Sequence, residues 1–329
     1  MRGNIATFLG ALLVGLSSVP GYGQTSMSVA VGGRNFMSFL PFTVALEQGY
    51  FKKEGLDLKV HDFAGGSRSI EALVGNSVDV ALGALEHAIF LHAKGIDIKA
   101  VALFTKSYGA VLSLRPELAK KYKSPKDLSG LKIGVTAPGS SMALALDILI
   151  SKGGLQQSDV PKIAIGGGSG AIAQAKSGKV DGVVLTDPII SILEHDRDMI
   201  PVVDTRTEDG MKYLYGGYIA ATTVLSTPKV IAEKRPAIRA FSKAIVSALQ
   251  WMGSATPQQI TAIVPPSFYG QHRDLYIESL KRIHGLYSRD GRIEPQIATN
   301  SYKVLSQYGK LKEDIDVTKT YDNSLIDGK

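Results

Sequence analysis

Two series of short apolar runs and helical patterns follow one another along the first two thirds of the chain. Each series predicts strand, helix, strand, helix, strand: the predicted strands are 29–31, 56–60 and 78–82 in the first, and 133–135, 162–165 and 180–185 in the second. Helical patterns at 41–47 and 142–151 each stop near a glycine that can take the left-handed conformation, Gly55 and Gly154. A βαβαβ order that occurs twice predicts an α/β fold with mostly parallel sheets flanked by helices.

An internal repeat supports two lobes built on the same plan. A Gly-Gly-Ser turn at 65–67 precedes a Val-Asp pair at 78–79, and the same turn and pair recur 102 positions later. The final third has mainly helical spacing, with helices predicted at 229–250 and 274–284. We predict lobe 1 from 24–108 plus 219–329 and lobe 2 from 109–218, with two crossings of the chain and a cleft between the lobes.

The first 23 residues have the organisation of an export signal. Arg2 precedes an apolar stretch at 5–16, which is shorter than the ~20 residues that a membrane-spanning helix requires. Gly21 and Gly23 are small residues placed for cleavage ahead of Gln24. A buried N-terminal helix is the alternative. We expect an exported protein whose signal peptide, 1–23, is removed, and the absence of Cys excludes a lipoprotein anchor.

Composition and motifs remove several classes of function. The chain has 329 residues, of which 44% are hydrophobic and 20% charged, as in ordinary globular proteins. Without Cys there is no disulfide, thiolate metal site or cysteine nucleophile. The net charge is +7, but basic residues are spread along the chain, so we predict no nucleic-acid partner. Histidine spacing predicts no metal, and we predict no catalytic residue and no cofactor, although a glycine pattern at 166–171 also resembles a dinucleotide fingerprint.

Candidate binding residues follow the predicted strands, in loops that lead into helix N-termini. Ligands bind at the carboxyl ends of strands in open α/β sheets, and the free N–H groups of helix N-termini attract anionic or polar groups. The loops are 35–38, 65–67, 83–86, 138–141, 166–169 and 186–188. Helix capping explains any one of them, so the prediction depends on their recurrence. Phe36 and Met37 would add apolar surface, and Tyr218 belongs to a segment that could line the cleft or bend; core packing is the alternative for all three.

Three stretches of the sequence carry a resemblance to a known family. They are PFTVALEQGYFKKEGLDL at 41–58, the Gly-Gly-Ser turn with ALVGNSVDVA at 65–81, and KDLSGLKIGV at 126–135. Together they resemble periplasmic solute-binding proteins of ABC importers, of the nitrate/sulfonate/taurine and thiamine-precursor type. The resemblance implies a type II periplasmic-binding-protein fold, in which two α/β lobes close on a small molecule. Carried over by position, with the loop residues above, it implies contacts from Asn35, Phe36, Met37, Ser38, Gly66, Ser67, Gly83, Ala84, Glu86, Gly139, Ser140, Ser141, Asp187 and Tyr218.

The resemblance also implies a monomer that delivers its ligand to a membrane permease driven by a cytoplasmic ATPase, with no other contact to the membrane. We therefore expect a periplasmic, non-enzymatic binding component for a small organic anion such as a sulfonate or carboxylate. Arg34 and the helix N-termini favour an anion, whereas Glu86 and Asp187 favour a ligand with N–H donors. Two alternatives remain open: an enzyme resembling pyrimidine synthases of thiamine biosynthesis, whose cysteine-rich motif is absent here, and a ligand-sensing subunit.

Overall fold

The computed structural model describes residues 24–63, 65–308 and 311–327. The predicted export signal at 1–23 lies outside the described residues. The strands are β1 Thr25–Val31, β2 Leu56–Asp62, β3 Val80–Ala84, β4 Lys99–Leu103, β5 Val111–Leu114, β6 Ile133–Val135, β7 Lys162–Ala164, β8 Gly182–Leu185, β9 Ile200–Asp204 and β10 Thr222–Ser226.

Helices connect most of these strands and make up the chain after β10. They are α1 Leu40–Glu47, α2 Tyr50–Lys53, α3 Gly66–Val74, α4 Leu85–Ala93, α5 Pro116–Ala119, α6 Ser141–Lys152, α7 Ser169–Lys176, α8 Ile189–His195, α9 Glu208–Tyr215, α10 Pro228–Glu233, α11 Arg235–Ser254, α12 Pro257–Ile263, α13 Arg273–Ile283 and α14 Pro295–Gln307. A 3₁₀ turn, Met37–Phe39, precedes α1. The predicted stops are confirmed, because Gly55 and Gly154 have φ of 75° and 67°.

The strands form two sheets that share one topology. The first has the order β2-β1-β3-β10-β4 and the second β7-β6-β8-β5-β9. In each sheet the first three strands are parallel, and the fourth runs antiparallel to both of its neighbours. The predicted βαβαβ units are therefore confirmed as the parallel half of each sheet. The other half, β4, β5, β9 and β10, was not predicted.

The antiparallel strand of each sheet begins where the chain arrives from the other sheet. One crossing lies between β4 and β5, and the other between α9 and β10. The two crossings run side by side: Ala221 N donates to Thr105 O at 3.1 Å and Ile219 N to Lys106 O at 3.1 Å. The first sheet thus takes its strands from 25–103 and 222–226, and the second from 111–204. The predicted lobe boundaries, after residues 108 and 218, fall within the crossings and stay a prediction.

The repeated Val-Asp pair has the same structural role in both sheets. Asp79 accepts hydrogen bonds from Ser28 N at 2.9 Å and Ser28 Oγ at 3.0 Å, and its own N–H donates to Ser28 O. Asp181 accepts from Lys132 N at 2.8 Å and donates to Lys132 O. Each aspartate therefore joins the start of the central strand of its sheet, β3 or β8, to the neighbouring parallel strand, β1 or β6. The sequence repeat reflects this pairing.

Buried side chains form two apolar clusters, and each cluster contains residues from both sheets. In one of them Phe42 of α1, Phe51 of α2 and Phe241 of α11 pack with ring centroids 4.7–6.3 Å apart. The helix predicted at 229–250 is in fact two, α10 and α11. Pro236 explains the break, because its nitrogen has no proton for an intrahelical hydrogen bond and its ring clashes with the preceding turn. Among the described residues, no helix combines the length and apolar character needed to span a bilayer.

Candidate functional site

A small cavity lies at the carboxyl ends of the strands, between the two sheets. We call it the inner cavity; its volume is about 60 Å³. At about 10–15 Å³ for each water molecule, it has room for a few waters or a small polar group. Both sheets supply its walls, and the predicted residues that line it are Phe36, Ser38, Gly66, Gly83, Ala84, Ser140 and Ser141.

Three helices begin at the wall of the inner cavity. Gly66 is the first residue of α3, Ala84 is the N-cap of α4, and Ser140 is the N-cap of α6. Ser140 caps its helix by accepting a hydrogen bond from Ala143 N at 3.2 Å. A Cβ at Gly32 would lie 2.4 Å from Gly66 N, so glycine is needed where β1 passes α3. The first N–H groups of a helix have no intrahelical acceptor, and three positive helix ends therefore face one cavity.

The side chains that line the inner cavity are uncharged or weakly polar. Among the described residues no Lys, Arg, Asp or Glu side chain borders it. Tyr108 also borders the cavity. Burial and the nearby Glu86 carboxylate raise the pKa of its phenol well above the usual value, so the phenol keeps its proton. Any negative charge of a ligand would therefore meet helix dipoles, backbone N–H groups and neutral donors rather than a cationic side chain.

Direct contacts join the two sides of the cleft. Ser141 Oγ donates to Glu86 Oε1 at 2.6 Å, and Ser67 Oγ lies 3.4 Å from Pro138 O. Phe36 packs against Gly167 so closely that a Cβ at Gly167 would lie 2.0 Å from the ring. The structure therefore has the two lobes in a closed arrangement.

Two predicted acidic residues have their carboxylates engaged within the protein. Glu86, 5% exposed, accepts from Tyr108 OH as well as from Ser141 Oγ, and it lies beside the inner cavity rather than on its wall. Asp187, 2% exposed, accepts from Ser191 N at 3.1 Å and Ser191 Oγ at 2.6 Å and is 3.3 Å from Arg206 Nη1. Burial raises the pKa of Asp187, and the positive charge of Arg206 opposes that rise. Both side chains hold loops in place.

Other candidates lie outside the wall of the inner cavity. Arg34, expected to favour an anion, pairs with Glu47 at 2.9 Å. Met37 is buried; its N–H donates to Asp187 O at 3.3 Å and its carbonyl accepts from Tyr287 OH. The remaining predicted residues away from this wall are Asn35, Ser67, Gly139 and Tyr218. Tyr218 is 43% exposed, with Lys106 Nζ 5.1 Å from the centre of its ring.

A larger cavity adjoins the first one. We call it the outer cavity; it has a volume of about 420 Å³ and shares Ser140 with the inner cavity. Phe90 of α4 and Leu144 of α6 give it apolar walls, and Gly139 and Glu86 border it. Lys162 and Asp147, which form an ion pair, lie at the same cavity. The two cavities therefore meet at the start of α6, where Ser140 is the N-cap.

The sequence analysis missed several residues of the inner cavity. They include His87, Tyr108, Thr136 and Thr222, whereas Thr186, which also lines the cavity, belongs to the predicted loop 186–188. His87 directly follows the predicted loop 83–86, and the first turn of the helix that this loop begins was the signal available for it. Tyr108 and Thr222 come from the crossings, which the repeat pattern does not include. Within the described residues, no group of three His, Asp or Glu side chains is placed to hold a metal ion.

Sequence comparison gives the family. The profile of the family described as NMT1/THI5 like matches residues 37–260, more than half of the chain. The chain belongs to the NMT1/THI5-like family. A protein of solved structure from Bordetella bronchiseptica RB50 is 34% identical, with a TM-score of 0.87 and coverage of 93% of this chain and 97% of that one. YtlA of Bacillus subtilis (strain 168), described as a binding protein, is 24% identical over 84% of this chain and 82% of its own length.

Two further comparisons bear on this NMT1/THI5-like chain. The alkanesulfonate-binding protein SsuA from Xanthomonas axonopodis pv. citri, solved with MOPS bound, has a TM-score of 0.71 at 16% identity and covers 90% of this chain and 98% of that one. This likeness confirms the two-lobed α/β fold of periplasmic binding proteins. The 4-amino-5-hydroxymethyl-2-methylpyrimidine phosphate synthase of Schizosaccharomyces pombe is 29% identical over 129 residues, which are 39% of this chain and 36% of the synthase.

Proposed function

We propose that this protein is the periplasmic substrate-binding component of an ABC import system. The observation that supports it most is a cavity closed between two lobes, where three helices begin. A likeness in fold to a sulfonate-binding protein and a relative described as a binding protein agree with this role. Delivery to a membrane permease with its cytoplasmic ATPase, a monomeric state and an export signal at 1–23 belong to the same proposal.

The ligand we propose is a small organic anion, such as a sulfonate or a carboxylate. The sequence left open a ligand with N–H donors because of Glu86 and Asp187, but both carboxylates are occupied by protein donors. Three positive helix ends at one cavity favour oxygen acceptors and negative charge. The charge is then stabilised by dipoles and hydrogen bonds, since Arg34 is paired with Glu47.

Closure couples binding to the shape of the molecule. The wall of the inner cavity combines Gly66 and Ala84 of lobe 1, taken as 24–108 plus 219–329, with Ser140 and Ser141 of lobe 2, taken as 109–218. A ligand that contacts both lobes makes its full set of contacts only when they close, so it shifts the population towards the closed form.

Calorimetry and small-angle X-ray scattering test the proposal together. Ethanesulfonate, taurine, propionate, benzoate and acetate are titrated into the mature protein, and scattering is recorded with and without each compound. We expect at least one of these anions to bind with micromolar affinity, about 8 kcal/mol, and to reduce the radius of gyration. Binding without compaction contradicts closure, and no binding by any of the five contradicts the ligand class.

An enzymatic role is the second candidate, and the local identity to a pyrimidine phosphate synthase is the observation that favours it. The chain has no Cys, whereas the resemblance implies a cysteine-rich motif in those synthases. Mass spectrometry of the bound compound after prolonged incubation distinguishes the two roles. An importer's binding component returns its ligand unchanged, whereas an enzyme yields a product.

A further inference from the structure

His87 has a buried nitrogen without a partner at the wall of the inner cavity. The residue lies in the first turn of α4 and borders the cavity together with Gly66 and Ala84. Its Nε2 atom is buried and has no hydrogen-bond partner within the part of the chain that the structure describes. A buried polar group without a partner destabilises a protein, so native structures rarely leave one unexplained.

The other ring nitrogen of His87 fixes the tautomer. Nδ1 lies 3.2 Å from Ala84 N and accepts its hydrogen bond, which gives the N-cap N–H of α4 an acceptor. Nδ1 also lies 3.2 Å from Ala84 O, and the two contacts call for opposite tautomers. We assign Nδ1 as the acceptor, because Ala84 N can only donate, whereas Ala84 O also accepts the first bond of the helix. In neutral imidazole a nitrogen that accepts carries no proton. The proton is therefore assigned to Nε2, which makes Nε2 a donor.

Several hydroxyl groups around the inner cavity already have partners in the protein. Tyr108 OH and Ser141 Oγ donate to Glu86, and Ser140 Oγ accepts from Ala143 N. The imidazole of His87 differs from them, because the cap fixes its orientation while its donor is unused. A donor held rigidly before the ligand arrives loses little conformational entropy on binding.

We propose that His87 is a specificity-determining residue, whose Nε2–H donates a hydrogen bond to an unprotonated oxygen of the ligand. This assignment rests on the proposed function. It restricts the ligand to molecules that present an acceptor at this point, such as a sulfonate or carboxylate oxygen. Among the described residues no Lys or Arg lines the inner cavity. The hydrogen bond from His87 would add to the attraction that the three helix N-termini exert on an anion.

Two substitutions of His87 separate the effect of the Nε2–H donor from the effect of the Nδ1 atom that accepts from Ala84 N. In His87→Asn the side-chain oxygen takes the place of Nδ1 and accepts from Ala84 N, but nothing replaces Nε2. In His87→Gln the amide nitrogen approximates Nε2, and a glutamine at the third position of a helix can also accept from the N-cap N–H. Both variants keep the start of α4, so we expect both to unfold within a few degrees of the wild-type temperature.

Calorimetric titration of ethanesulfonate and propionate into wild type and both variants tests the assignment. We expect His87→Asn to bind at least about tenfold more weakly, as for loss of a hydrogen bond to a charged group, and His87→Gln to stay within about threefold of wild type. If His87→Asn binds as tightly as wild type, or both variants weaken equally, the assignment is wrong and the proposed function stands. If wild type binds neither of these two, the titration uses whichever of the five anions above binds it; if none of the five binds, the ligand class is wrong and the assignment fails with it.

Discussion

At the scale of single residues, one close contact controls whether the two lobes can meet. Phe36, 7% exposed, packs on Gly167, where a Cβ would lie 2.0 Å from Cζ and 2.6 Å from Cε2 of the ring. These distances are far below any real carbon–carbon contact, so a side chain at 167 must displace the ring. Phe36 is buried between the lobes, and the displacement would reopen the cleft.

We therefore expect Gly167→Ala to weaken ligand binding by about tenfold, since interfacial overpacking costs about 1–3 kcal/mol. Gly168→Ala is the matched control, because a Cβ there has no neighbour within 4 Å. Calorimetry with the anion that binds wild type measures both variants. Equal affinities in the two variants would contradict a closed state that depends on the contact between Phe36 and Gly167.

The same scale shows where sequence reasoning stops. The loops at the ends of the strands were predictable, because glycine, serine and helix-start patterns recur in both halves. The roles of Glu86 and Asp187 were not, since Tyr108, Ser141 and Arg206 are distant in sequence from the carboxylates they contact, although Ser191, which also donates to Asp187, is only four residues away from it. A carboxylate in a binding loop is a ligand contact or a loop support depending on such distant donors, and a single sequence does not specify them.

At the scale of elements, Asp79 joins β1, the entry to β3 and α10. It accepts from Ser28 in β1, and Lys234, just after α10, donates to it at 2.7 Å. Burial acts to raise the pKa of Asp79, but the bonds from Lys234 and Ser28 outweigh burial and lower it below 3.8. The folded state therefore favours the ionised carboxylate, and this stabilisation is complete above about pH 3.8 and is lost as the pH falls through the lowered pKa.

We expect Asp79→Asn to lower the free energy of unfolding by about 1 kcal/mol at pH 7, because the ion pair with the half-exposed Lys234 is lost. The difference from wild type should shrink at acidic pH, as the pH falls through the lowered pKa of Asp79 and the wild-type carboxylate becomes protonated. Urea unfolding at several pH values measures it. Asp181→Asn, which keeps an acceptor for Lys132 N, is the control. A difference that stays constant with pH would contradict the argument.

The elements also show why only half of each sheet was predicted. The parallel strands carry a repeat, and each is separated from the next by a helix with a recognisable stop. In contrast, β5 and β10 pair with strands that precede or follow them by many residues. Each of the two strands enters its sheet directly after a crossing, and the sequence pattern does not show where the crossings lie. The break before α11 was visible in Pro236, but the apolar spacing of 229–250 continues through it.

At the scale of the whole molecule, the lobes approach each other at a point suited to a disulfide. A Cβ built at Gly65, before α3, would lie 3.6 Å from the Cβ of Ala137, in the loop after β6. Disulfides need about 3.5–4.5 Å between these atoms. Gly65 has φ of 166°, an extended backbone that any residue adopts. The native chain has no Cys, so an engineered pair has no competing thiol.

We expect Gly65→Cys with Ala137→Cys to form this disulfide on oxidation and to hold the lobes closed, with a radius of gyration equal to that of the ligand-bound wild type. A ligand then enters and leaves at least about tenfold more slowly, because exchange requires opening. Scattering and stopped-flow binding measure both effects. Reduction should restore fast exchange, and the reduced double variant is the control, because it carries the same two side chains, one of them at the wall of the inner cavity. Unchanged exchange in the oxidised protein would mean that the ligand reaches its cavity without separation of the lobes, and hinge closure would then not be the mechanism of capture.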